Sequence, residues 1–157
     1  MSNLSFEIKD SKALFRKLSE DYDEYLQDTL SSRRALNCAM TAWHLTDWLY
    51  FEYHEKSHDY PTLFTFQNHI KTQCPSLQIM QDITNGTKHH TLTRHNPYVQ
   101  KTQLHSGSFS SDFSPDFDIS SLQIEMKDGS VKGFYEEIEI SYFFWKSYLE
   151  KQYGMFF

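Results

Sequence analysis

Between Ala35 and Phe51 the sequence reads ALNCAMTAWHLTDWLYF, and at about 100° per residue its apolar side chains run almost all the way round a helix. Such a helix is stable only when other elements surround it. Residues 32–56 are therefore expected to form the central, buried helix of the domain, broken by Asp59-Tyr60-Pro61. The stretch is no membrane span, because Asn37, Thr41, His44, Thr46 and Asp47 interrupt it and a span needs roughly 18 apolar residues.

The flanking segments supply the cover. In residues 11–30, Leu14, Leu18, Tyr22, Tyr25 and Thr29 recur at spacings of three and four, which predicts an amphipathic helix capped by Asp10 or Ser11. Residues 62–73 predict a third helix with Leu63, Phe66 and Ile70 on one face, ended at Cys74-Pro75. A fourth starts at Ser76 with Leu77, Met80, Ile83 and Thr84 inward. Its end is open: Asn85-Gly86 suits a C-terminal cap, yet the polar pattern continues to His89.

Residues 91–120 are rich in Thr, Ser, Asn and His and read as loop, with one strand near Val99–His105 and a mobile stretch from Ser106 to Pro115. Leu122, Ile124 and Met126 then alternate with polar residues, Asp128-Gly129 marks a tight turn, and Val131–Tyr135 is the return strand. Glu136 to about Tyr153 predicts a closing helix carrying Ile138, Phe143, Trp145, Tyr148 and Leu149. The final GMFF is apolar enough to pack on the domain or on a second subunit. The expected architecture is α+β, mainly α: a four-helix bundle core over 11–90, a loop-rich segment over 91–120, a β-hairpin over 121–135 and a closing helix over 136–153. All 157 residues form a single domain in this reading.

Charge narrows the partners. The chain carries a formal charge of −6, which disfavours avid, non-specific nucleic-acid binding. Residues 60–111 depart from that balance: Lys71, Lys88, Arg94 and Lys101 stand against Asp82 alone, with His69, His89, His90, His95 and His105 among them. That segment suits a polar loop or a surface for an anion such as phosphate or RNA. The opening MSNLSFEIKD has no signal-peptide pattern, and Cys38 and Cys74 form no disulfide scaffold or zinc finger, so a reduced, cytoplasmic, soluble protein is expected. Cys38 reads as packing and Cys74 as the more accessible thiol.

The candidate site residues are the polar groups inside the apolar helices. Asn37, Thr41 and His44 lie within about 60° of one another on the second helix, with Asp47 on the adjacent face and Trp43 and Trp48 beside them. A carboxylate there needs a partner, and a His44–Asp47 pair is either a structural bond or an oriented imidazole for acid/base work. On the fourth helix Asp82, Asn85 and His89 share a stripe if the helix passes Gly86, with Lys88 alongside. If the two helices are neighbours, His44, Asp47, Asp82, Asn85, Lys88 and His89 converge into a set suited to acid/base chemistry on an anionic substrate. His54 and His58, in HEKSH, have the i, i+4 spacing of metal ligands but lack the HExxH order, and no metal or cofactor is expected. No P-loop, GxGxxG, GxSxG or EF-hand loop occurs.

The strings AWHLTDWLY (42–50) and DITNGTKHH (82–90) resemble motifs of small uncharacterised bacterial proteins, some carried on mobile elements. The second also resembles the active-site helix of the HEPN superfamily, over roughly residues 11–90. Those are helical bundles, often dimers, many of them ribonucleases of toxin or phage-defence systems. The family signature is an Arg, often followed by Asn, with a His five positions after the Arg. Asn85 and His89 match; Thr84 stands in the Arg position, leaving Lys88 or Arg94 to supply the phosphate-binding charge. The resemblance implies a HEPN-like, RNA-binding protein or degenerate ribonuclease with Asn85 and His89 catalytic; the residue reading adds His44 and Asp47 to that catalytic set. Asp82, Lys88, Arg94, Trp43 and Trp48 would then be binding residues. The alternatives from the residues alone are a non-enzymatic homo-oligomeric interaction module with a protein partner, and a helical bundle that binds a small molecule in an aromatic pocket with His44 and Asp47 as polar anchors.

Overall fold

A computed structural model describes residues 4–91, 96–109, 114 and 118–157. Five α-helices and a three-stranded antiparallel sheet are formed among these residues, so the protein is α+β and mainly α. Arg94 and His95, and residues 110–113 and 115 of the stretch expected to be mobile, lie outside the described residues.

Helix α1 (Ser11–Gln27) starts where the Asp10 carboxylate accepts the Ala13 N–H at 2.7 Å. It buries Leu14, Leu18, Tyr22 and Tyr25, as the spacing predicts, and Phe15 in addition. Helix α2 (Ser32–Leu49), capped by Ser31, runs back along α1 and continues into one π-helical turn, Tyr50–His54. It packs against α1, α3 (Leu63–Gln73), α4 (Ser76–Lys88) and α5 (Phe134–Tyr153), the central position its apolar circumference predicts. Thr62 and Thr65 cap α3 reciprocally, at 3.2 and 3.1 Å. Cys74-Pro75 ends it. Cys74 is buried rather than accessible, and burial pushes its thiol up to about 11 and that of Cys38 up to about 12, so neither is a reactive thiolate.

Helix α4 does not stop at Asn85-Gly86. It runs through Gly86 to Lys88, and the His89 N–H closes the last turn on the Asn85 carbonyl at 3.0 Å. Gly86 adopts no left-handed conformation; the positive-φ glycines are Gly129 and Gly154. The glycine therefore costs helix propensity without ending the helix.

Strand β1 (Val99–His105) pairs with β2 (Ser121–Met126), and β2 with β3 (Val131–Gly133), so the expected hairpin is the outer part of a three-stranded sheet. Gly129, at φ 88°, makes the turn between β2 and β3. The return strand is shorter than expected because α5 begins at Phe134, with Glu136 and Glu137 in its first turn. Trp145 is fully buried and its indole N–H donates to the Ala42 carbonyl at 2.9 Å, fixing α5 on α2. Ile138, Tyr148 and Leu149 are buried, whereas Phe143 is 53% exposed, on the outward face with Ile140. After Gly154, in the left-handed region at φ 63°, the tail turns inward. Met155 is buried and the Phe157 ring meets Phe15 with centroids 4.4 Å apart. No helix among the described residues is long and apolar enough to cross a membrane.

Candidate functional site

Three surfaces of α2 receive different neighbours, and this divides the polar residues that the sequence grouped together. Toward α1, Thr41 is buried and donates to Asp21 at 2.7 Å, while Lys17 reaches both Thr41 (2.8 Å) and Asp21 (2.5 Å). Toward α3 and α4, Trp43 is buried with the Lys71 ammonium 5.7 Å from its ring centroid. Lys71 also donates to Gln81 at 2.9 Å. Its own pKa is lowered by desolvation, with Asp82 opposing.

His44 projects outward and is exposed, and Asp47 is half-buried. The two act on each other electrostatically but share no hydrogen bond, so the expected His–Asp bond is not made. Desolvation lowers the His44 pKa, Asp47 pulls it back, and Lys17 and Lys88 lower it further. Desolvation raises the Asp47 pKa, with His44 opposing.

Helix α4 packs on α2, so the two polar stripes are carried by neighbouring helices. They meet only in part: Lys88 at the end of α4 acts electrostatically on His44, while Asp82 is turned away from the stripe. Asp82 is buried and faces β1: one carboxylate oxygen accepts the N–H groups of Tyr98 (2.7 Å) and Val99 (3.1 Å), and the other accepts the Gln78 amide at 2.9 Å. Its role is to hold the start of the sheet. Asn85 is half-buried, and Lys88 and His89 are exposed at the helix end. Thr84, in the position where the resemblance has Arg, is buried and donates to the Met80 carbonyl at 2.7 Å.

Asp47 instead opens into a groove of about 1070 Å³ between the end of α2 and the segment before α1. Trp48, Phe51 and Glu55 line one wall. Leu4, Phe6 and Lys9 line the other, and Lys56 is at the rim. No residue of α4 reaches it. The walls are tied together where Glu52, on the π-helical turn, accepts the Ser11 N–H at 2.7 Å. Of the four groove carboxylates, Asp10 and Glu52 thus serve backbone N–H groups, while Asp47 and Glu55 make no hydrogen bond to a described residue. Phe51 is 51% exposed into this space, and Phe6 stands at φ 51°, a left-handed conformation that costs a phenylalanine about 1–3 kcal/mol.

Phe51 and Glu52 escaped the sequence reading and Glu55 entered it only beside His54 and His58, although their spacing from Trp48 of three, four and seven places all four on one helical face. The opposite wall had no such signal. The HEKSH motif is used otherwise. His54 is enclosed by Tyr60, Phe66 and Tyr153, with Nε2 2.6 Å from the Tyr153 hydroxyl, and no cluster of His, Cys, Asp and Glu suited to a metal ion exists among the described residues.

Compared with protein-family models, with curated proteins and with solved structures, the chain matches none of them.

Proposed function

We propose that the chain is a non-catalytic helical binding module that takes a small molecule into the groove beside Asp47 and Trp48. The observation that carries this reading is the half-buried Asp47 carboxylate, set next to an aromatic wall and without a hydrogen-bond donor among the described residues. Removing such a group from water is unfavourable unless something compensates it, and a ligand donor would. The π-helical turn supports the same place, because such turns concentrate at functional sites.

The ribonuclease reading has weaker support. Its phosphate-binding position is the buried Thr84, committed to a backbone carbonyl, and Asp47 lies in the groove while Asp82 serves the sheet. Self-association keeps part of its motive: Met155 is buried within the chain and Phe157 meets Phe15, but Phe156 stays 79% exposed.

The test is a ligand-detected NMR screen of small soluble fragments against the protein and its Trp48→Ala variant, with an RNA cleavage assay of the same samples. Fragments that bind the parent and are lost in the variant are expected, with no cleavage. Hits indifferent to Trp48, or cleavage abolished by His89→Ala, would overturn the reading.

A further inference from the structure

Building on that reading, we infer that the groove selects an organic ammonium ion, held with its charge against Asp47 and its apolar body on Trp48 and Phe51. Charge is the first argument. Four carboxylates, Asp10, Asp47, Glu52 and Glu55, line the groove against two ammonium groups, Lys9 and Lys56. An anion entering it meets net repulsion. A neutral apolar ligand gains the aromatic wall but strips water from Asp47 and returns nothing to it. A cation satisfies both.

The aromatic groups are the second argument. The π face of an indole or phenyl ring attracts a positive charge, most strongly where water is partly excluded. Trp48 is half-buried and Phe51 half-exposed, beside the unpaired carboxylate. Elsewhere the protein already uses this chemistry internally, where Lys71 lies over Trp43.

The third argument is coordination and size. A bare metal ion needs three or more converging ligands, and no such group exists among the described residues. The groove, of about 1070 Å³, has ample room for a small organic cation.

The experiment titrates the full chain with choline and, separately, with 3,3-dimethylbutan-1-ol, which has the same shape without the charge. Trp48 is followed through its indole N–H resonance, assigned with Trp48→Phe. Choline is expected to shift that resonance saturably and to bind about tenfold more tightly than the neutral alcohol. Asp47→Asn is expected to remove most of that preference. Should Asp47→Asn fail to fold, Glu55→Gln, at an exposed position of the same wall, is expected to weaken choline about threefold. Equal binding of the two probes, or choline affinity unchanged in the carboxylate variants, would overturn the ammonium inference while leaving the groove as a binding site. Failure of both probes, together with a fragment screen that finds nothing at Trp48, would overturn the groove itself.

Discussion

Asp47 and Asp82 are both acids set in otherwise apolar helices, and the fold gives them opposite tasks. Asp82 is saturated with donors from β1 and Gln78 and fixes where the sheet begins. Asp47 is left for the groove. Composition and spacing set both on polar stripes and, for Asp47, called for a partner, because a buried carboxylate must be paired. They did not say from where the partner comes: the donors to Asp82 are backbone groups sixteen and seventeen residues away in sequence. Asp82→Ala strands those N–H groups and is expected to destabilise the protein by about 2–4 kcal/mol in urea unfolding. An unchanged midpoint would mean that Asp82 does not anchor the strand. Trp43 and Trp48 show the same limit. Five residues apart on one helix, one is sealed under Lys71 and the other faces the groove, a distinction only the neighbours of α2 decide.

Among the elements, those with strong periodicity were legible. Helices α1 and α3 and the start of α4 fall where apolar spacing and chain breakers put them, whereas the end of α4 overruns its cap signal. The π-helical turn was not legible, because a single i→i+5 turn has no period of its own to read. It matters because it carries Glu52 to the start of α1 and His54 into the cage of Tyr60, Phe66 and Tyr153. Burial lowers the His54 pKa, while Asp59, 3.6 Å from Nδ1, opposes that effect. An imidazole whose folded pKa lies below its unfolded value of 6.5 contributes stability above that value. The contribution is lost as pH falls through 6.5 toward the folded pKa, since the unfolded chain then binds the proton more readily. His44 acts in the same direction. The urea midpoint is therefore expected to drop between pH 7.5 and 5, and to drop less in His54→Gln. Equal drops in the two proteins would show that His54 is not the group responsible.

At the scale of the molecule, helices and sheet share one hydrophobic cluster, and the C-terminal tail closes it. The apolar character of GMFF called for cover, and the turn at Gly154 brings Met155 and one face of Phe157 onto this chain while Phe156 stays exposed. Deleting residues 154–157 exposes Phe15 and removes Met155, and should cost about 2–4 kcal/mol without changing the sedimentation coefficient beyond the mass removed. A change in oligomeric state would assign the tail to a second subunit. The groove is likewise a property of the whole. One wall was written in the Trp48, Phe51, Glu55 spacing, and the other comes from residues before α1 that have no periodicity to read.

The most direct test of the groove as the functional surface is a chemical-shift map of isotope-labelled protein titrated with the tightest fragment found. The Trp48 indole and the amides of Phe51, Glu52 and Glu55 should move together, with Asn85, Lys88 and His89 unmoved. Shifts centred on the end of α4, leaving Trp48 in place, would contradict this account and return the search to His89.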